Sequence, residues 1–309
     1  MKTAYLFPGQ GAQSPGMGAD LYESFSVYQK AFDACSEGAG MDLKPACFEG
    51  KGMEGSDVIQ PAIFAHSMAT LAILKSEGVP CDMTAGLSLG EYSALTAAGV
   101  FDMAQCAALV RQRGRIMDEA FPPGKGGMLS VIGFDVEKVQ EMIGDYDNVY
   151  VANHLSGLQI VLAGLLDDLK PLAAVFEEAG AKMVTLLDVR GPSHAPLLQS
   201  ASATFKALLD ETPVGEMNSA VYANVLGKPY EKGSDVRQLL ADQMCKRVRW
   251  HDCTEHMIAE GVECFLEIGP GNVLGKLVKR RVGRKGAHVM SVGNAASLDK
   301  FLEQFAANK

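Results

Sequence analysis

Residues 86–90 read Gly-Leu-Ser-Leu-Gly, and their flanks restrict what can fold around them. Cys81 to Ala85 follows a Gly78-Val79-Pro80 breaker and predicts a short strand. Glu91 to Ala98 is rich in Ala and Leu and predicts a helix. A serine on so sharp a strand-to-helix turn has its hydroxyl pushed clear of the backbone. Glycines on both sides let the chain bend that tightly. The helix that starts there aims its unused N–H groups at the spot where an oxyanion would form. The pentad points to an acyl-serine enzyme.

The pattern on either side of this turn is an α/β alternation. Residues 3–7 predict a buried strand, followed by a polar loop through Gly18. Helices are predicted over 19–38 and 61–77, the second with Pro61 in its first turn. Another runs from Asp102, a suitable N-cap, to about Ala120. Phe121-Pro122-Pro123-Gly124 breaks the chain, and the order then becomes β-α-β-β-α-β up to Asp188. That order is the ferredoxin-like unit. Alternation resumes after Arg190-Gly191-Pro192 and continues to the end. The expected fold is therefore α/β: an α/β-hydrolase-like large domain with a parallel sheet (1–125 and 190–309) and an inserted ferredoxin-like small domain (126–189).

Composition removes several function classes. The chain has 309 residues and a net charge of −9, which disfavours nucleic acid and anionic membranes as partners. No apolar run reads as a membrane span, and the start is too short an apolar stretch for a signal peptide. The seven cysteines are odd in number and include no C-x-x-C, which suits reduced thiols in a cytoplasmic protein. No metal-ligand spacing occurs, so no metal and no cofactor are expected. Nothing in the sequence demands more than a monomer. One segment opposes the average: Lys276, Lys279, Arg280, Arg281, Arg284 and Lys285 fall within ten residues. It reads either as the solvated end of a helix or as a docking patch for an acidic partner or for phosphates.

An acyl-serine enzyme needs a base. Of six histidines, His66 lies in an apolar helical pattern and reads as core, while His251 and His256 sit on a polar helix. His154 ends a strand of the small domain. His288 and His194 remain, and His194 is favoured because it follows Gly191-Pro192-Ser193 at the seam between the two domains.

Several blocks in order carry a family resemblance. Phe7-Pro8-Gly9-Gln10-Gly11-Ala12-Gln13, Gln60-Pro61-Ala62, the stretch Gly86 to Ala94 and Arg113-Gly114-Arg115-Ile116-Met117 are four of them. Gly191-Pro192-Ser193-His194, Gln243 with Val248 and Trp250, and Glu267 to Leu274 complete the set. Together they resemble the malonyl-CoA:acyl-carrier-protein transacylases of bacterial type II fatty-acid synthesis. The resemblance implies ping-pong transfer through a malonyl ester on Ser88, with His194 as base. It implies an oxyanion hole from the N–H groups of Gln10 and Leu89, and a carbonyl of Gln243 that steadies the base. Arg113 would grip the malonyl carboxylate through its guanidinium fork. Met117, one turn on, would wall the site, and Asn153 would line it from the small domain. The partners implied are malonyl-CoA and an acidic acyl carrier protein, docking near Lys276, Lys279, Arg280, Arg281 and Arg284.

Three positions depart from the family pattern. Leu87 stands where a histidine is usual, and Leu155 and Gly157 replace an Asn and a Pro in the block Asn153 to Gln159. Malonyl remains the expected acyl group, with looser discrimination. A serine thioesterase or esterase using water, a trans-acting polyketide acyltransferase and a silent carrier-docking scaffold are the competing readings.

Overall fold

A computed structural model describes residues 1–283 and 286–307, so Arg284 and Lys285 of the basic segment lie outside the described residues. The elements in chain order are β1 (Thr3–Phe7), α1 (Ala19–Ser24), α2 (Ser26–Ala39), α3 (Lys44–Glu49), α4 (Ser56–Ser76), β2 (Met83–Gly86), α5 (Leu89–Ala97) and α6 (Met103–Glu119). Next come β3 (Gly126–Ile132), α7 (Val136–Met142), β4 (Val149–Ser156), β5 (Gln159–Leu165), α8 (Leu166–Glu178), β6 (Met183–Leu186) and α9 (Gln199–Glu211). The chain continues with β7 (Ala220–Ala223), β8 (Lys228–Pro229), α10 (Val236–Cys245), α11 (Trp250–Ala259), β9 (Cys264–Ile268), α12 (Val273–Val282), β10 (His288–Val292) and α13 (Ala295–Ala307). Two compact units form. The first comprises residues 1–114, 213–222 and 256–309, the second 115–212 and 223–255.

The first unit carries a parallel sheet in the order β10-β9-β1-β2-β7. Every residue of β1 and β2 is buried, as expected of central parallel strands covered on both faces. Phe7 is in register with Gly86, so the loops after β1 and β2 leave the sheet side by side. Such carboxyl ends of parallel strands are where α/β folds place ligands.

Two helical expectations need correction. The predicted helix 19–38 is two helices, because Phe25 takes extended backbone between α1 and α2. Pro61 lies inside α4, which starts five residues earlier, at Ser56. The six-residue α3 was not anticipated. In addition, α4 is long and apolar enough by length and composition to cross a membrane, contrary to the reading of run lengths. Its apolar length is used for core packing: Ile63, Phe64, Met68, Ile73 and Leu74 are fully buried or nearly so.

The second unit contains an antiparallel sheet in the order β4-β5-β3-β6, the ferredoxin-like arrangement. One apolar cluster joins Leu129, Val131, Ile160 and Leu162 of the sheet to Val139 of α7 and to Leu169, Leu172 and Phe176 of α8. The compact unit extends beyond 126–189 for a physical reason. Val248 donates its N–H to Ala152 O (2.8 Å) and accepts from His154 N (2.9 Å), which laces the α10–α11 connection to β4.

Candidate active site

The turn at Ser88 is held by close backbone packing. A Cβ on Gly86 would collide with the Gly90 carbonyl, and one on Gly90 with the Phe7 carbonyl. Only glycine fits at both places, and the chain turns from β2 into α5 within two residues. Ser88 itself sits at φ 52°, ψ −106°. Ser88 and His194 (φ 63°) are the non-glycine residues with positive φ among the described residues. Backbone held in this region costs about 1–3 kcal/mol and concentrates at functional sites.

Ser88 precedes the first turn of α5, and Leu89 opens that turn, so the Leu89 N–H belongs to the helix end whose donors have no intrahelical partner. The Gly9-Gln10 loop lies against the same turn. Leu87 N donates to Phe7 O at 3.0 Å. Gln10 is reached through side chains, since Gln60 Nε2 donates to Gln10 Oε1 (3.4 Å) and Gln10 Nε2 to Ser56 Oγ (3.2 Å).

Arg113 stands beside the serine. Its Nη2 donates to Ser88 Oγ at 3.1 Å and its Nη1 to Gln60 Oε1 at 2.8 Å. The guanidinium lies over the Tyr92 ring, 5.2 Å from its centroid, a cation–π contact. Arg113 is only 1% exposed. Burial lowers its pKa, opposed by nearby Tyr92 and Glu91, and an arginine so placed keeps its charge. Gln60 and Tyr92 were not singled out as site residues from the sequence. Gln60 beside Pro61 reads as a helix start, and Tyr92 falls within the predicted helix after Ser88 without a role of its own. The available signal was spacing, since Tyr92 lies four residues after Ser88, one turn along α5. Met117 follows Arg113 by one turn of α6 and is 9% exposed.

His194 and Gln243 are brought together in the second unit. Nδ1 of His194 lies 2.6 Å from the backbone oxygen of Gln243. A carbonyl oxygen only accepts, so Nδ1 carries the proton and Nε2 presents a lone pair, the tautomer a general base requires. The His194 N–H donates to Met244 O at 3.0 Å, which pins the same residue from its backbone. Asn153 lies on β4, and its Oδ1 is buried with no hydrogen-bond partner among the described residues. Leu155 packs against a small apolar cluster of Met128, Ala152, Val161, Ala163 and Ala195, so the departure at 155 supplies packing. Gly157 sits in the β4–β5 turn with open space around it. His288 is exposed on β10, and His66 is buried with Nδ1 2.6 Å from the Tyr28 hydroxyl.

Lys276, Lys279, Arg280 and Arg281 are exposed on α12. The start of that helix is tied to β9 by the buried Glu267 carboxylate, which accepts from Leu274 N (3.1 Å), Gly275 N (2.8 Å) and Ser291 Oγ (3.3 Å). Burial raises the Glu267 pKa and these donors oppose the rise.

The sequence matches the family described as acyl transferase domain over residues 4–308. It is 38% identical over 285 residues to a malonyl CoA-acyl carrier protein transacylase from Bacillus subtilis (strain 168), covering 90% of each chain. A crystal structure of malonyl CoA-acyl carrier protein transacylase from Clostridium perfringens superposes with a TM-score of 0.95 at 35% identity, over 99% of this chain and 98% of that one. A malonyl-transacylase solved in complex with a type II PKS acyl-carrier protein gives 0.93 at 35% identity, over 98% and 100%.

Proposed function

The chain belongs to the acyl transferase domain family, and on that footing we propose that it moves a malonyl group from malonyl-CoA to the phosphopantetheine thiol of an acyl carrier protein, through an ester on Ser88. Ser88 Oγ attacks the thioester carbonyl while His194 Nε2 takes its proton. The N–H groups of Gln10 and Leu89 hold the oxyanion. Collapse expels the coenzyme thiolate, which recovers the proton from His194. In the second half the carrier thiol gives its proton to His194 and attacks the ester carbonyl. Ser88 Oγ leaves and takes that proton back. No resident cofactor or metal is needed for either half.

The observation that carries this reading is the 3.1 Å bond from Arg113 to Ser88 Oγ. The free carboxylate of malonyl starts two bonds from the carbonyl carbon that Ser88 attacks. A buried guanidinium within one hydrogen bond of the nucleophile stands at the distance such a short diacid requires. Met117 walls the acyl space. The buried Oδ1 of Asn153 suits an amide or hydroxyl donor on the substrate. The carrier protein, being acidic, docks on the α12 cations Lys276, Lys279, Arg280 and Arg281, with Arg284 next in sequence. A local positive patch on a chain of net −9 orients that encounter. The small domain is assigned to 126–189, and the protein works as a cytoplasmic monomer.

Intact-mass measurement after incubation with malonyl-CoA tests the proposal. One malonyl adduct is expected, absent from Ser88→Ala and discharged by holo-carrier protein. Release of free malonate at the rate of discharge would point to a thioesterase.

A further inference from the structure

Two imidazoles of the second unit stand side by side outside the machinery proposed for acyl transfer. The rings of His154 on β4 and His251 in the first turn of α11 have centroids 4.6 Å apart and planes inclined at 45°. They are far apart in sequence, so no ligand spacing reveals them. His154 is 8% exposed and His251 is half-buried. Their ring nitrogens make no hydrogen bond or ion pair among the described residues, whereas Nδ1 of His66 meets the Tyr28 hydroxyl and Nδ1 of His194 meets Gln243 O. A neutral imidazole without such a partner offers its lone pair to a metal ion.

The spacing suits one ion between the two rings. With metal–nitrogen bonds of about 2.0–2.1 Å and an angle of about 90–110° at the ion, two imidazoles have centroids about 4.5–5.2 Å apart. Turning either ring about its Cβ–Cγ bond leaves the centroid in place, so the match does not depend on which nitrogen faces the partner. The backbone under both residues is fixed. His154 N donates to Val248 O (2.9 Å), Val248 N to Ala152 O (2.8 Å) and Arg249 N to Asn224 O (2.8 Å). Little ordering is therefore left to lose on binding. Burial first and His251 second push the His154 pKa down to about 4, so this ring is unprotonated near pH 7. Asp252 and Glu137 bring negative charge to it and Arg247 positive charge, and Asp252 is paired with Arg249 at 2.6 Å. No third His, Cys, Asp or Glu completes a ligand set among the described residues.

We propose that His154 and His251 form a two-imidazole site for a divalent transition-metal ion of the Ni²⁺, Cu²⁺ or Zn²⁺ kind, with water in its other positions. Imidazole donors select these ions over Mg²⁺ and Ca²⁺, which take oxygen ligands. With two protein ligands the ion is exchangeable. It staples β4 to the start of α11 and takes no step in acyl transfer.

The test titrates the 309-residue chain with NiCl2 by calorimetry, beside MgCl2. Wild type should bind Ni²⁺ saturably, with one ion at this site, and Mg²⁺ should not replace it. Loss of an outer-shell partner already weakens metal sites about 10–100-fold, so His154→Phe and His251→Phe should each weaken Ni²⁺ binding at least about tenfold. Paramagnetic Ni²⁺ below one equivalent should also broaden the NMR signals of these two rings before those of His194, His256 and His288, a measurement that needs only the wild-type fold. Absence of saturable Ni²⁺ binding by wild type overturns the proposal. So does an unchanged affinity in either folded variant, or broadening that begins at His194, which would place the ion on the base beside Gln243.

Discussion

Replacing Arg113 with Met removes the fork and keeps most of the buried volume, so it isolates the carboxylate contact from packing. The side chain is 1% exposed and held by Gln60 at 2.8 Å and Ser88 at 3.1 Å, over the Tyr92 ring. A carboxylate taken up by this fork makes two charge-assisted hydrogen bonds away from bulk water. Each is worth about 1.5–3 kcal/mol, so the lower end of the pair is about 3 kcal/mol, or roughly a hundredfold. Acetyl has no carboxylate and gains none of this. The assay is competition of malonyl-CoA against acetyl-CoA for Ser88, read as the ratio of the two adducts by intact mass. Wild type should favour malonyl by about a hundredfold or more, and Arg113→Met should bring the ratio near one. Arg113→Lys should fall between, since an ammonium keeps the charge and loses the fork. Equal use of acetyl by wild type, or an unchanged preference in a folded Arg113→Met, refutes the reasoning.

Gln60→Ala should loosen the guanidinium and reduce the malonyl-to-acetyl ratio about tenfold, with a smaller effect on acetyl transfer itself, measured in the same competition. Reversing Lys276 and Lys279 to Glu should raise KM for the carrier protein in a salt-dependent way and leave KM for malonyl-CoA unchanged. His66 provides a pH test. Burial lowers its pKa from 6.5 to about 4, so below 6.5 the unfolded chain binds a proton that the native one refuses. Stability contributed at neutral pH is lost as pH falls from 6.5 to about 4, on the order of 3 kcal/mol in all. His66→Phe should flatten that slope in urea titrations at pH 7 and 4.5, while costing about 1–3 kcal/mol at pH 7 by leaving the buried Tyr28 hydroxyl without its partner.

Much of this architecture can be read from local pattern. The strand–turn–helix at Ser88 is legible because its glycines, apolar strand and Ala-rich helix all describe contacts within a dozen residues. The β-α-β-β-α-β run is legible because each strand alternates or is bounded by clear breakers. The start of α4 is not, since Pro61 looks like a first-turn residue and so sets the expected start five residues late. What makes that segment helical is tertiary packing; Gly114, for instance, lies directly against the Ser56 backbone. The role of Gln60 is hidden for the same reason, because its partner Arg113 is 53 residues away. Likewise, sequence alone does not reveal that it is the main-chain oxygen of Gln243 that meets His194, since main-chain atoms are common to all residue types.

A peptide oxygen, rather than an aspartate, stands behind the imidazole of His194. It sets the ring's orientation but lends no formal anion to stabilise an imidazolium, so the ring is a milder base than one backed by a carboxylate. A mild base deprotonates a sulfhydryl far more readily than it does water. An ester parked on Ser88 would on this account have a long shelf life in plain buffer and be cleared promptly when a thiol arrives.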